Sequence, residues 1–136
     1  MRRIHASITV VAATLALAGC TATQSTSAGK FKGDQQAVAK VVDNLQKAAR
    51  QGQNEKVCND IFTKELAGKF TAGGTTCAGE IKDAIRDVND YDLQVIDVTV
   101  NGDTATAQVR QGKENRTATF GFQRVGQTWR ASSISG

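Results

Sequence analysis

Few side chains in this chain can do chemistry. Cysteines stand at positions 20, 58 and 77, and the one histidine is His5. A thiolate can be alkylated, bridged to a second sulfur or bound to a metal. No two of the three have C-x-x-C spacing, so a redox pair of that kind is not encoded. Ser132 and Ser133 lack a histidine base for nucleophilic catalysis. "AGGTTC" (residues 72–77) lacks the lysine and the strand–helix setting of a phosphate-binding loop, and no carboxylate run has calcium-loop spacing. Asp83, Asp87, Asp90 and Asp92 fall on the polar side of a helical pattern and its exit. Asp97 is different, because it lies between Ile96 and Val98. On a period of two it shares a face with Leu93 and Val95. A carboxylate among apolar side chains is a candidate general base. The alternative is that a bulge turns Asp97 outward, to pair with Arg110 or Arg124.

The setting of Cys20 separates it from the other two cysteines. The chain opens with Arg2 and Arg3, continues through an apolar run from Ile8 to Gly19, and reaches Cys20 ahead of a Ser/Thr-rich stretch. Charge followed by a short apolar core describes a secretory signal, and a membrane span needs about 20 apolar residues. Leu17-Ala18-Gly19-Cys20 resembles the bacterial prolipoprotein lipobox. The resemblance implies a diacylglyceryl thioether on Cys20, cleavage between Gly19 and Cys20, and a protein held by acyl chains outside the cytoplasmic membrane. Removal of residues 1–19 takes away His5 and leaves 15 Lys and Arg against 13 Asp and Glu, so the balance falls from +4 to +2. No basic block with interleaved aromatics remains, and nucleic acid is not an expected partner.

With Cys20 assigned to lipid, Cys58 and Cys77 are expected to form a disulfide, which the extracytoplasmic space permits. The rival is a metal site, but two thiols and no mature histidine fall short of the four ligands that structural zinc takes. No cofactor pattern is present.

Residues 21–32 read as a flexible tether, with Lys30 and Lys32 within reach of anionic head groups. The folded domain is expected over residues 33–136. Its first half has helical periodicity: Val38, Val41, Val42, Leu45, Ala48 and Ala49 form one stripe, with Asp34 as the cap and Gly52 as the stop. A short helix should carry Val57, Ile61 and Phe62 on one face behind an Asn54 cap, and Thr63 should begin another turn, "KELAGKF". A further helix should carry Ile81, Ile85 and Val88. The second half has period two. Strands over 91–100, 104–110, 116–125 and 129–135 are joined at "NGD", "QGKEN" and "GQT". The apolar positions switch from odd (Leu93, Val95) to even (Ile96, Val98, Val100), which predicts a bulge. The fold class is α+β: helices, then a curved antiparallel four-stranded meander.

This order, together with "VTVNGDTATAQVR", "TATFGFQRVGQTWRAS" and the pair of cysteines in "VCNDIFTKELAGKF…CAGEI", resembles the nuclear-transport-factor-two-like superfamily and small actinobacterial lipoproteins of that type. The resemblance spans about residues 33–135. It implies a cone of curved sheet around a cavity, here with Tyr91, Asp97, Phe120, Phe122 and Trp129 as candidate lining. Ketosteroid isomerases, dehydratases and cyclases belong to that superfamily. Two expectations follow. The first is a lipid-anchored, non-enzymatic binding or accessory protein of the cell envelope that meets a small apolar ligand or an envelope protein. The second is an isomerase or hydratase working through Asp97. Arg110, Lys113, Arg116, Arg124 and Arg130 concentrate positive charge in the meander, where charge also protects sheet edges.

Overall fold

The computed structural model describes residues 26–86 and 92–136. Cys20, its cleavage partner Gly19, and Val88, Asp87, Asp90 and Tyr91 lie outside the described residues. Among the described residues the architecture is α+β. A 3-10 turn (Ala28–Lys30) leads into α1 (Gly33–Arg50). Next come α2 (Asn54–Lys56) with a π-turn (Val57–Ile61), α3 (Lys64–Phe70) and α4 (Cys77–Arg86). Four strands follow: β1 (Leu93–Asn101), β2 (Thr104–Gln111), β3 (Arg116–Val125) and β4 (Thr128–Ser135). They form one antiparallel sheet in the order β1-β2-β3-β4, not closed on itself.

The two periodicities in the sequence become two halves of one core. The expected α1 stripe is buried, from Val38 to Ala49, and Gly52 ends the segment at φ +66°, where other residues are strained. Val95, Val98, Ala105, Ala107, Val109, Ala118, Phe120 and Phe122 face it from the sheet. Each buried Val or Phe side chain contributes about 1.5–3 kcal/mol to that core. Val57, Ile61 and Phe62 point inward beside them, and Phe62 stacks on Phe70 with ring centroids 5.7 Å apart.

The predicted bulge is present. Register shifts between Val95 and Asp97, so Ile96 and Asp97 both turn outward while Val98 returns to the core. A second shift separates Gly121 from Phe122, with Ser132 as the extra residue on β4. Both cysteines expected to pair are joined: Cys58 in the π-turn and Cys77 at the start of α4 form a disulfide with Cα atoms 6.1 Å apart.

Three local expectations are corrected. Residues 27–32 are not a free tether, because Ser27 and Ala28 are buried against α1 and β1. The backbone N–H of Ser27 donates to the Asp43 carboxylate at 2.9 Å and that of Ala28 at 3.0 Å, while Ser27 Oγ accepts from the Val95 N–H at 2.9 Å. Asp34 does not cap α1; Lys32 holds that position, and Asp34 pairs with Arg124 at 2.8 Å. Asn54 is the first residue of its helix rather than the cap, and the capping position falls to Gln53. In the first two cases a partner distant in sequence prevails over the local signal.

Candidate binding cleft

The segment after the π-turn wraps around the β4 edge. Phe62 forms a parallel bridge with Ala131, and the Thr63 N–H donates to the Ala131 carbonyl at 2.8 Å. Thr63 then caps α3, its Oγ1 accepting from the Leu66 N–H at 3.2 Å. This wrapping leaves an open cleft of about 570 Å³ between α3 and the outer face of the β3–β4 hairpin. Lys64, Glu65 and Ala67 line one wall, and Gln123, Val125 and Arg130 the other. The Cys58 end of the disulfide and Asn59 close its floor.

Arg130 is the fixed element. Its Nη1 donates to the Asn59 carbonyl and, at 3.3 Å, to the Phe62 carbonyl, so the guanidinium caps the end of the π-turn. Its Nε is buried without a partner among the described residues. No carboxylate is paired with it among the described ion pairs. Lys64 is exposed at the rim, and Glu65 beside it is the only acidic lining residue. Val125, 47% exposed, supplies an apolar patch. The cleft is equipped to recognise: two cations, one carboxylate, amide and hydroxyl groups, and apolar contacts at Val125 and Ala67.

The expected cavity residues do not converge there. Phe120 and Phe122 are 1% and 2% exposed and belong to the packed core. Trp129 is buried beneath Arg124, whose guanidinium lies 4.5 Å from the ring centroid. Asp97 faces solvent at the bulge, which removes it from the apolar face that simple alternation assigned to it. Neither candidate cation pairs with it: Arg110 donates to Gln94 at 3.2 Å, and Arg124 pairs with Asp34 and Asp103. Tyr91 lies outside the described residues. Among the described residues, no group of three His, Cys, Asp or Glu side chains could hold a metal ion, and no helix is long and apolar enough to cross a membrane.

Sequence reading missed the cleft because its walls come from segments about 60 residues apart. In β4 the apolar positions pass from odd (Trp129, Ala131) to even (Ile134), the same kind of switch that marked the β1 bulge, but it marks the second bulge and not the cleft. No protein-family model, no curated protein and no solved structure matches the chain.

Proposed function

We propose that the protein is a lipid-anchored, extracytoplasmic binding or accessory module of the cell envelope, built on a nuclear-transport-factor-two-like layout, and that it acts by contact rather than turnover. The observation that carries this reading is the Cys58–Cys77 bridge. It occupies two of the three cysteines and suits an oxidising compartment, leaving Cys20 for acylation at the end of the apolar leader. Helices on one face of a bulged meander support the layout. The cleft beside Arg130 is the contact site, and an envelope protein presenting carbonyl or carboxylate groups is the partner class its lining favours. An apolar ligand among Phe120, Phe122 and Trp129 is disfavoured by their close packing, and with Asp97 in solvent the isomerase or hydratase has no base.

The test is processing and location in the native host. Inhibition of lipoprotein signal cleavage should accumulate uncut precursor, and Cys20→Ala should release the protein from the membrane fraction. Normal processing under the inhibitor, with Cys20→Ala still membrane-bound, contradicts the anchor. Crosslinking from the cleft should then capture an envelope protein with wild-type chain and lose it with Arg130→Met. Capture that Arg130→Met leaves unchanged moves the contact site elsewhere.

A further inference from the structure

Where the chain enters the domain determines which side of the domain meets the membrane. The entry point is fixed. Ser27 is 2% exposed, bonded to Asp43 on α1 and to Val95 on β1, and the Gln36 side-chain amide donates to the Ala28 carbonyl at 3.3 Å. Seven peptide steps join Cys20 to Ser27, a span of at most about 25 Å. A domain of roughly 110 residues has a radius of gyration of about 13 Å, and so is about 34 Å across. The leash is therefore shorter than the body it holds, and the side bearing Ser27 stays close to the lipid.

That side carries unpaired positive charge. Gln36, Lys40, Asp43 and Lys47 share one face of α1 by their spacing of three and four. Gln36 and Asp43 hold the N-terminal turn, so Lys40 and Lys47 flank it, both exposed. Lys30 and Lys32, in and just after the turn, are exposed as well. None of these four lysines pairs with a carboxylate among the described residues. The nearby acids are engaged elsewhere: Asp43 with backbone N–H groups, Asp34 with Arg124 and Asp92 with Arg50. Among the described residues, Asp97, on the bulge that follows Val95, is an exposed carboxylate that opposes the pattern.

We propose that the N-terminal turn and this face of α1 form the membrane-facing side of the domain, resting on anionic lipid headgroups of the bilayer that holds the acyl chains. The proposal rests on acylation of Cys20. Each lysine near an anionic surface favours the face-down orientation about fivefold, an attraction that fades beyond a Debye length of about 8 Å. The cleft then points away from the bilayer, because β1 and β4 are opposite edges of the sheet, three strand spacings or roughly 14 Å apart.

The experiment uses the full acylated chain in vesicles of phosphatidylcholine, with and without phosphatidylglycerol. A fluorophore is placed at Asn44→Cys, exposed between Lys40 and Lys47, or at Gln123→Cys on the cleft wall. A quencher carried on lipid headgroups should quench the Asn44 label several-fold more than the Gln123 label with phosphatidylglycerol present, and by a smaller margin, set by the leash alone, without it. Lys40→Glu with Lys47→Glu should reduce the difference to that smaller margin. A flexible insert of about 20 residues after Gln24 should narrow the difference as well. Equal quenching at both positions in acylated protein overturns the orientation and leaves the anchor standing. An intact mass without acyl chains overturns both. Preference for the Asn44 side that ignores phosphatidylglycerol and the charge reversals removes the lipid headgroups as the partner. Binding of an added anionic wall polymer at Asn44 in place of lipid does the same.

Discussion

The sheet has two edges, and they are closed by different means. Along β1 the closure is made by single polar side chains: Gln46 Oε1 accepts from the Leu93 N–H at 2.6 Å, Ser27 Oγ accepts from Val95, and the Gln35 amide donates to the Val98 carbonyl at 2.8 Å. Along β4 the closure is backbone on backbone at Ala131, reinforced by Arg130 on the Asn59 and Phe62 carbonyls. Both answer the hazard of an open strand edge. The β1 solution leaves the bulge residues Ile96 and Asp97 exposed on the flank where the chain enters. The β4 solution adds a wrapped segment, and the cleft is the space under that wrap. An edge closed by side chains is thus suited to sit against another surface, and one closed by a wrapped segment is suited to hold something.

The strongest way to break this contrast is to loosen the wrap. Cys58→Ser with Cys77→Ser removes a bridge across 19 residues. It should cost about 3 kcal/mol and lower the melting temperature by roughly 10–20 °C, measured by thermal unfolding. A shift of only a degree or two would mean that the backbone bridge at Ala131 holds the wrap without it. Next in size is Gln46→Leu, which leaves the buried Leu93 N–H without an acceptor and should cost about 1–3 kcal/mol. Amide exchange at Leu93 should accelerate while exchange on β4 stays slow; acceleration at both edges would show that they are not independent. Arg130→Met keeps the aliphatic stem and frees two carbonyls. About 1 kcal/mol is expected in denaturant unfolding, and a loss exceeding that of Gln46→Leu would reverse the ranking of side chain and backbone at the two edges. Smallest of all, Asp97→Asn on the exposed bulge should change stability by less than about 0.5 kcal/mol.

How much of this was legible depended on whether a feature repeats. The meander could be read because its signal recurs at every second residue, in Ala105, Ala107 and Val109 and again in Ala118, Phe120 and Phe122. The β1 bulge could be read because the apolar parity changes there, although Ile96 joins Asp97 in solvent instead of Val98 in the core. The edge closures could not. Ser27, Gln46 and Asp43 are single polar residues whose partners lie 15 to 68 positions away, and nothing in their neighbours marks them. Ser27 in particular sits in a Ser/Thr-rich stretch that composition assigns to a linker, and it is buried because one hydroxyl meets one strand N–H. The cleft was hidden for a related reason: it is shaped by how two distant segments meet.

The disulfide also alters what a protease can do to this molecule. The loop 71–76, between α3 and α4, is exposed along its whole length and carries Gly73 and Gly74, the kind of loop that proteases cut first. A cut there falls inside the ring closed by Cys58 and Cys77. The two pieces would stay joined, migrating as one species until a reductant is added, and α4 would remain tethered to the domain. This exposed loop is therefore also one at which a single nick need not release a fragment.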